Sequence, residues 1–163
     1  MPEEATGKAG IPTEKRNKPE RPRDELGRPQ PWDGEDRLRL EDFDRLTLEQ
    51  NHELGLRHTR AGRYFPAHEA WETAWKQTRG SEESEFFKGL SQMGAGYVHL
   101  LRGNAHGAVT LLRRAARRVG GYARGHRGVD TIALRDKLEH DARRIEEGSL
   151  VPGESATLEP PDV

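Results

Sequence analysis

The sequence predicts an all-α protein, a single compact bundle of about five helices with flexible N- and C-terminal tails. Three observations predict it. Apolar residues recur at spacings of three and four through the middle of the chain, and no segment alternates as a strand would. Helix punctuation brackets these segments, with Asn104 and Asp130 before them and Gly62, Gly80 and Gly120 after them. Beyond residues 38–147, Pro, Gly and charged residues crowd out apolar ones, and such stretches bury too little surface to offset chain entropy.

The first helix is expected from Leu40 to Ala61, on a thin stripe of Phe43, Leu46, Leu54 and Leu56, with Gly62 at the C′ position. The second is expected from Pro66, suited to a first helical turn, to near Gly80. The third follows the acidic run Ser81–Glu85 and reaches Arg102, since acids favour a helix N-terminus. Asn104 caps the fourth, which ends at Gly120-Gly121. Asp130 caps the fifth, with the stripe Leu134, Leu138, Ala142 and Ile145.

Composition bounds the rest. The chain has 163 residues, enough for one domain plus tails. Hydrophobic residues make up 32% and charged residues 34%, so the core is small. Residues 1–37 read as a disordered or loosely packed tail anchored by Leu26 and Trp32, residues 38–147 as the helical domain, and 148–163 as an acidic tail. There is no cysteine, so disulfides and thiolate metal sites are excluded and a reducing cytoplasm is the expected compartment. No apolar run is long enough for a membrane helix, and the N-terminus lacks a signal-peptide core. The net charge of −1 conceals a run from Gly103 to Val129 with six arginines and no acid.

The densest chemistry lies in R-Y-F-P-A-H-E-A-W-E-T-A-W, Arg63–Trp75. On a helix, His68, Glu72 and Trp75 share one stripe, with Glu69 beside Glu72. The third helix carries Gly89, Gln92, Gly96, His99 and Gly103 at spacings of three and four. Each glycine inside a helix costs about 1 kcal/mol against alanine, and close approach of a neighbouring helix would compensate. The second helix is the expected neighbour. His68 and Glu72 then face Gln92 and His99 across the seam, with Glu69 at its edge. Trp71 and Trp75, at helical spacing, read as core. His52, His106, His126 and His140 lie in polar contexts and read as exposed.

These two motifs resemble the all-helical domain-of-unknown-function family 309. Its first signature is carried here by Phe65, Ala67, His68, Glu69, Glu72 and Trp75. Its second is carried by Phe87, Gly89, Leu90, Gln92, His99, Arg102, Gly103, Asn104, Gly107 and Ala108. The resemblance covers about residues 50–146. It implies the helical fold and no particular reaction. His58 and Thr59 depart from the apolar pattern usual there.

The candidate polar cluster, His68, Glu69, Glu72, Gln92 and His99, supports two classes of function. One is a non-catalytic structural or interaction module in which a buried, satisfied network fixes helix register. The other is a metal-assisted or general acid–base enzyme of hydrolase type using the same groups. No cofactor is expected. Zinc or iron is the ion that His68, Glu72 and His99 would hold, with Glu69 or a water as fourth ligand. Ser91 lies near the seam without an evident activating arrangement. Arg113, Arg114, Arg117 and Arg118 form one face of the fourth helix, a candidate phosphate or partner face. Nucleic acid is not the expectation, because no recognised motif or aromatic platform accompanies them. An unknown protein partner is left open, as is the oligomeric state, and a membrane is not expected.

Overall fold

The structure is a computed structural model describing residues 20–154 and 156–163. Residues 1–19, the larger part of the expected N-terminal tail, lie outside the described residues. Five helices form the body: α1 (Leu48–Arg60), α2 (Tyr64–Gln77), α3 (Ser84–Leu101), α4 (Ala105–Val119) and α5 (Thr131–Glu147). Each packs on its neighbours in sequence. No strand occurs among the described residues.

Local chemistry sets most helix ends. Thr47 caps α1 by accepting a hydrogen bond from the Gln50 backbone, while the Gln50 side chain accepts from the Thr47 N–H. That box starts the helix eight residues later than Leu40, and Phe43–Arg45 forms a separate 3-10 turn. Gly62 follows α1 with φ of 72°, the left-handed conformation that favours glycine. Pro66 falls third in α2, still within the turn whose N–H groups need no helical partner. The side chains of Asn104 and Asp130 accept from the backbone N–H groups of Gly107 and Ala133, as caps of α4 and α5.

The core is built on α3, from Phe86, Phe87, Leu90, Met93, Tyr97 and Leu100, all fully buried. Ala108, Leu112, Ala115 and Val119 of α4 and Leu134, Leu138, Ala142 and Ile145 of α5 complete it. The inner face of α1 differs from its expected stripe. It buries Asn51, His52, Gly55, Leu56, His58 and Thr59, while Leu46 and Leu54 are only half-buried. The flat side of Trp71 fills the space beside Gly55, where a Cβ would lie 2.3 Å from the indole.

Both terminal segments pack on the body where they are described. Residues 20–37 form a strap with one antiparallel bridge between Arg23 and Pro29. Its anchor is Asp24, 1% exposed, whose carboxylate accepts from the Leu26 and Arg28 backbones and from the Arg28 guanidinium. Gly27 lies against the Phe65 ring. Trp32, expected as an anchor, is 64% exposed instead. At the other end Leu150 is fully buried, and the Gly153 N–H donates to the Leu100 carbonyl at 2.8 Å. Arg60 reaches the terminal Val163 carbonyl at 2.7 Å.

Candidate functional site

α2 approaches α3 at Gly94, where a Cβ would sit 2.9 Å from the His68 backbone nitrogen. That close contact brings the His68 ring onto Ser91, one turn earlier on α3. His68 Nδ1 is 2.9 Å from the Ser91 carbonyl oxygen. A carbonyl only accepts, so Nδ1 carries the proton. The Ser91 hydroxyl oxygen lies 2.9 Å from the same nitrogen and within 3.3 Å of the His68 carbonyl, to which it donates. Ser91 is 4% exposed.

The other side of the ring faces outward. His68 Nε2 is 3.5 Å from Glu72 Oε2 and 3.9 Å from Glu69 Oε1, with all three side chains half-buried. Lys76 Nζ stands 3.7 Å from the second Glu72 oxygen. His68, Glu69 and Glu72 each offer one ligand atom, and these atoms lie within 4.8 Å of one another.

Gln92 and His99 are not part of this cluster. The expected stripe of Gly89, Gln92, Gly96 and His99 turns toward α4. A Cβ at Gly89 would meet Arg118 and Val119, and one at Gly96 would meet Leu112 at 2.9 Å. Gly103 lies past the end of α3 with φ of 86° and belongs to no stripe. Gln92 accepts from the Arg118 guanidinium at 3.1 Å. The Asn104 amide donates to His99 Nδ1 at 3.0 Å, which occupies that lone pair and leaves the ring proton on Nε2. Burial pushes the His99 pKa below its ordinary value, and the charges of Arg102 and His68 lower it further. The expected grouping of His68, Glu72 and His99 is therefore corrected: Glu69, not His99, stands beside His68 and Glu72. The correction has one cause: α3 is small-sided on two faces, and the face bearing Ser91 and Gly94 meets α2.

The arginine face is divided. Arg113 pairs with Glu146 of α5, and Arg118 donates to Glu85 of α3 at 2.8 Å. Arg114 and Arg117 are exposed.

Four polar side chains escaped sequence reasoning. His52, expected exposed, is buried: the Trp71 indole donates to its Nδ1 at 3.1 Å and its Nε2 donates to the Arg127 carbonyl at 3.0 Å. Burial lowers its pKa. His126, also expected exposed, is half-buried with its ring edge-on to Phe86. His58 accepts from Arg63 at 3.1 Å and donates from Nε2 to Glu41 at 3.0 Å. Asp141, fully buried, accepts from the Tyr97 hydroxyl at 2.7 Å and pairs with Lys137 at 3.0 Å. Its signal was present: an acid seven residues after Leu134 and three after Leu138, in register with the apolar stripe of α5.

Residues 53–111 match the family model of DUF309, a domain of unknown function. The family resemblance thus holds, over a shorter span than 50–146. The DUF309 segment runs from α1 into α4 and contains His68, Glu69, Glu72, Ser91, Gln92 and His99. The strap, the whole arginine face and α5 lie outside it. No curated protein and no solved structure matches the chain. No helix among the described residues is long and apolar enough to cross a membrane.

Proposed function

We propose that this chain is a non-catalytic helical module, in which the His68–Ser91 network sets how α2 packs on α3 and the outer faces serve a protein partner. One observation carries the reading. The proton on His68 Nδ1 is committed to the Ser91 carbonyl, so the imidazole presents no base to the Ser91 hydroxyl. The hydroxyl itself is buried and donates to the His68 carbonyl. A serine hydrolase needs the opposite arrangement, an exposed hydroxyl donating to an imidazole lone pair. The described clefts also lie elsewhere, as in the space of about 460 Å³ between the strap and the α1–α2 turn and that of about 560 Å³ along α4. A cytoplasmic setting belongs to the same reading, supported by the cysteine-free sequence.

The test is turnover of nitrophenyl esters, phosphate monoesters and phosphate diesters by tag-free protein. Wild type, Ser91→Ala and His68→Ala are expected to be alike and at background. Turnover by wild type that collapses in either variant would replace the module with a hydrolase.

A further inference from the structure

We propose that the outward edge of α2 is a binding site for a divalent transition-metal ion, with His68 Nε2 and the carboxylates of Glu69 and Glu72 as its three protein ligands. The inference goes beyond the module reading and does not depend on it.

The tautomer comes first. Because Nδ1–H is held by the Ser91 carbonyl, the neutral ring has its lone pair on Nε2, pointing away from the core. Metal-binding histidines are commonly oriented in this way, with the other ring nitrogen donating to a carbonyl or carboxylate. The Gly94 contact fixes the His68 backbone from below. The ring is thus set in place before any ion arrives.

The spacing comes second. Nε2 faces Glu72 at 3.5 Å and Glu69 at 3.9 Å, both longer than a charge-assisted hydrogen bond of about 2.7–2.9 Å. These are electron-rich atoms turned toward one another. Ligands of a tetrahedral ion with bonds of about 2.0–2.2 Å stand about 3.3–3.6 Å apart. The His68–Glu72 pair already fits, while the Glu69 oxygen, 3.9 Å from the nitrogen and within 4.8 Å of the other ligand atoms, has to close in by a side-chain adjustment. The i, i+4 spacing on a continuous helix keeps the first two ligands on one face.

The donor set selects the ion. An imidazole nitrogen with two carboxylate oxygens suits zinc, iron or manganese over magnesium and calcium, which prefer oxygen alone. A fourth position remains for water or for a donor from a partner. Lys76 is the built-in competitor, since its ammonium group sits near the second oxygen of Glu72. An ion would displace it.

The experiment uses the full chain without a histidine tag, stripped with chelator and titrated with Zn²⁺ by calorimetry. One equivalent is expected to bind. Glu69→Gln and Glu72→Gln are each expected to weaken binding about tenfold or more, with little change in the melting temperature of the metal-free protein. Lys76→Met is expected to tighten it, and His99→Ala to leave it unchanged. Cobalt(II) should give visible absorption bands that disappear in Glu72→Gln. Absence of sub-millimolar Zn²⁺ uptake by wild type would overturn the proposal. So would one-equivalent binding indifferent to both glutamate variants, or binding lost in His99→Ala. Ion uptake and turnover are read separately, so this site and the module reading can fail independently.

Discussion

His68 on α2 and Ser91 on α3 are joined in both directions, ring nitrogen to carbonyl at 2.9 Å and hydroxyl to carbonyl at 3.3 Å. Removing the ring loses one of these links and some packing. Removing the hydroxyl leaves the ring-to-carbonyl bond intact. His68→Ala is therefore expected to cost about 1–2 kcal/mol and Ser91→Ala about 0.5–1 kcal/mol. Glu72 adds little to either cost, because it is half-exposed and keeps Lys76. Urea unfolding measures both. Two neutral substitutions would remove the network from the stability of the bundle.

Gly94 and Gly96 separate the two faces of α3. A methyl group at Gly94 meets backbone atoms of His68 at 2.9 and 3.0 Å, which cannot step aside without moving α2. At Gly96 it meets Leu112 Cδ2 at 2.9 Å, the end of a side chain that can change rotamer. Gly94→Ala is expected to lose about 1–3 kcal/mol to overpacking. Gly96→Ala should lose less, since its helix propensity gain of up to about 1 kcal/mol offsets a softer clash. Thermal melts rank them. The reverse order would place α2 on the Gly96 face.

His52 predicts a pH dependence. Its pKa is lowered in the folded state, first by burial, so the unfolded chain takes up the proton at higher pH. The stability it contributes is full above the unfolded value of about 6.5 and is lost as pH falls below it. Protonation also removes the lone pair that accepts from Trp71. Wild type should lose stability between about pH 7.5 and pH 5, and His52→Gln should lose less over that interval. Equal slopes for the two proteins would exclude His52 as a source.

The fourth helix carries a negative expectation with a definite readout. Arg113 and Arg118 already pair with acids of α5 and α3. Fluorescence anisotropy with a random duplex should show no salt-sensitive binding attributable to this face. Binding abolished when Arg113, Arg114, Arg117 and Arg118 become glutamine would make it a nucleic-acid surface.

Much of this molecule was legible before folding. The ends of α4 and α5 follow from Asn104 and Asp130, and their buried faces from repeats of three and four, because these interactions reach only a few residues along the chain. Trp71 in the core and Gly62 after α1 were readable for the same reason. The rotation of α3 was not. It has small residues on two faces, Gly89 and Gly96 on one and Ser91 and Gly94 on the other, and periodicity fits either face against α2. Packing of whole helices chose the second face, bringing Ser91 to His68 and sending Gln92 and His99 toward α4. The burial of His52 and His58 was hidden likewise, and for Asp141 only its register with the α5 stripe was visible, not its partner. A polar side chain is stable inside only when its partner arrives from another element, and Arg127, Glu41 and Tyr97 are supplied by the fold from 75, 17 and 44 residues away.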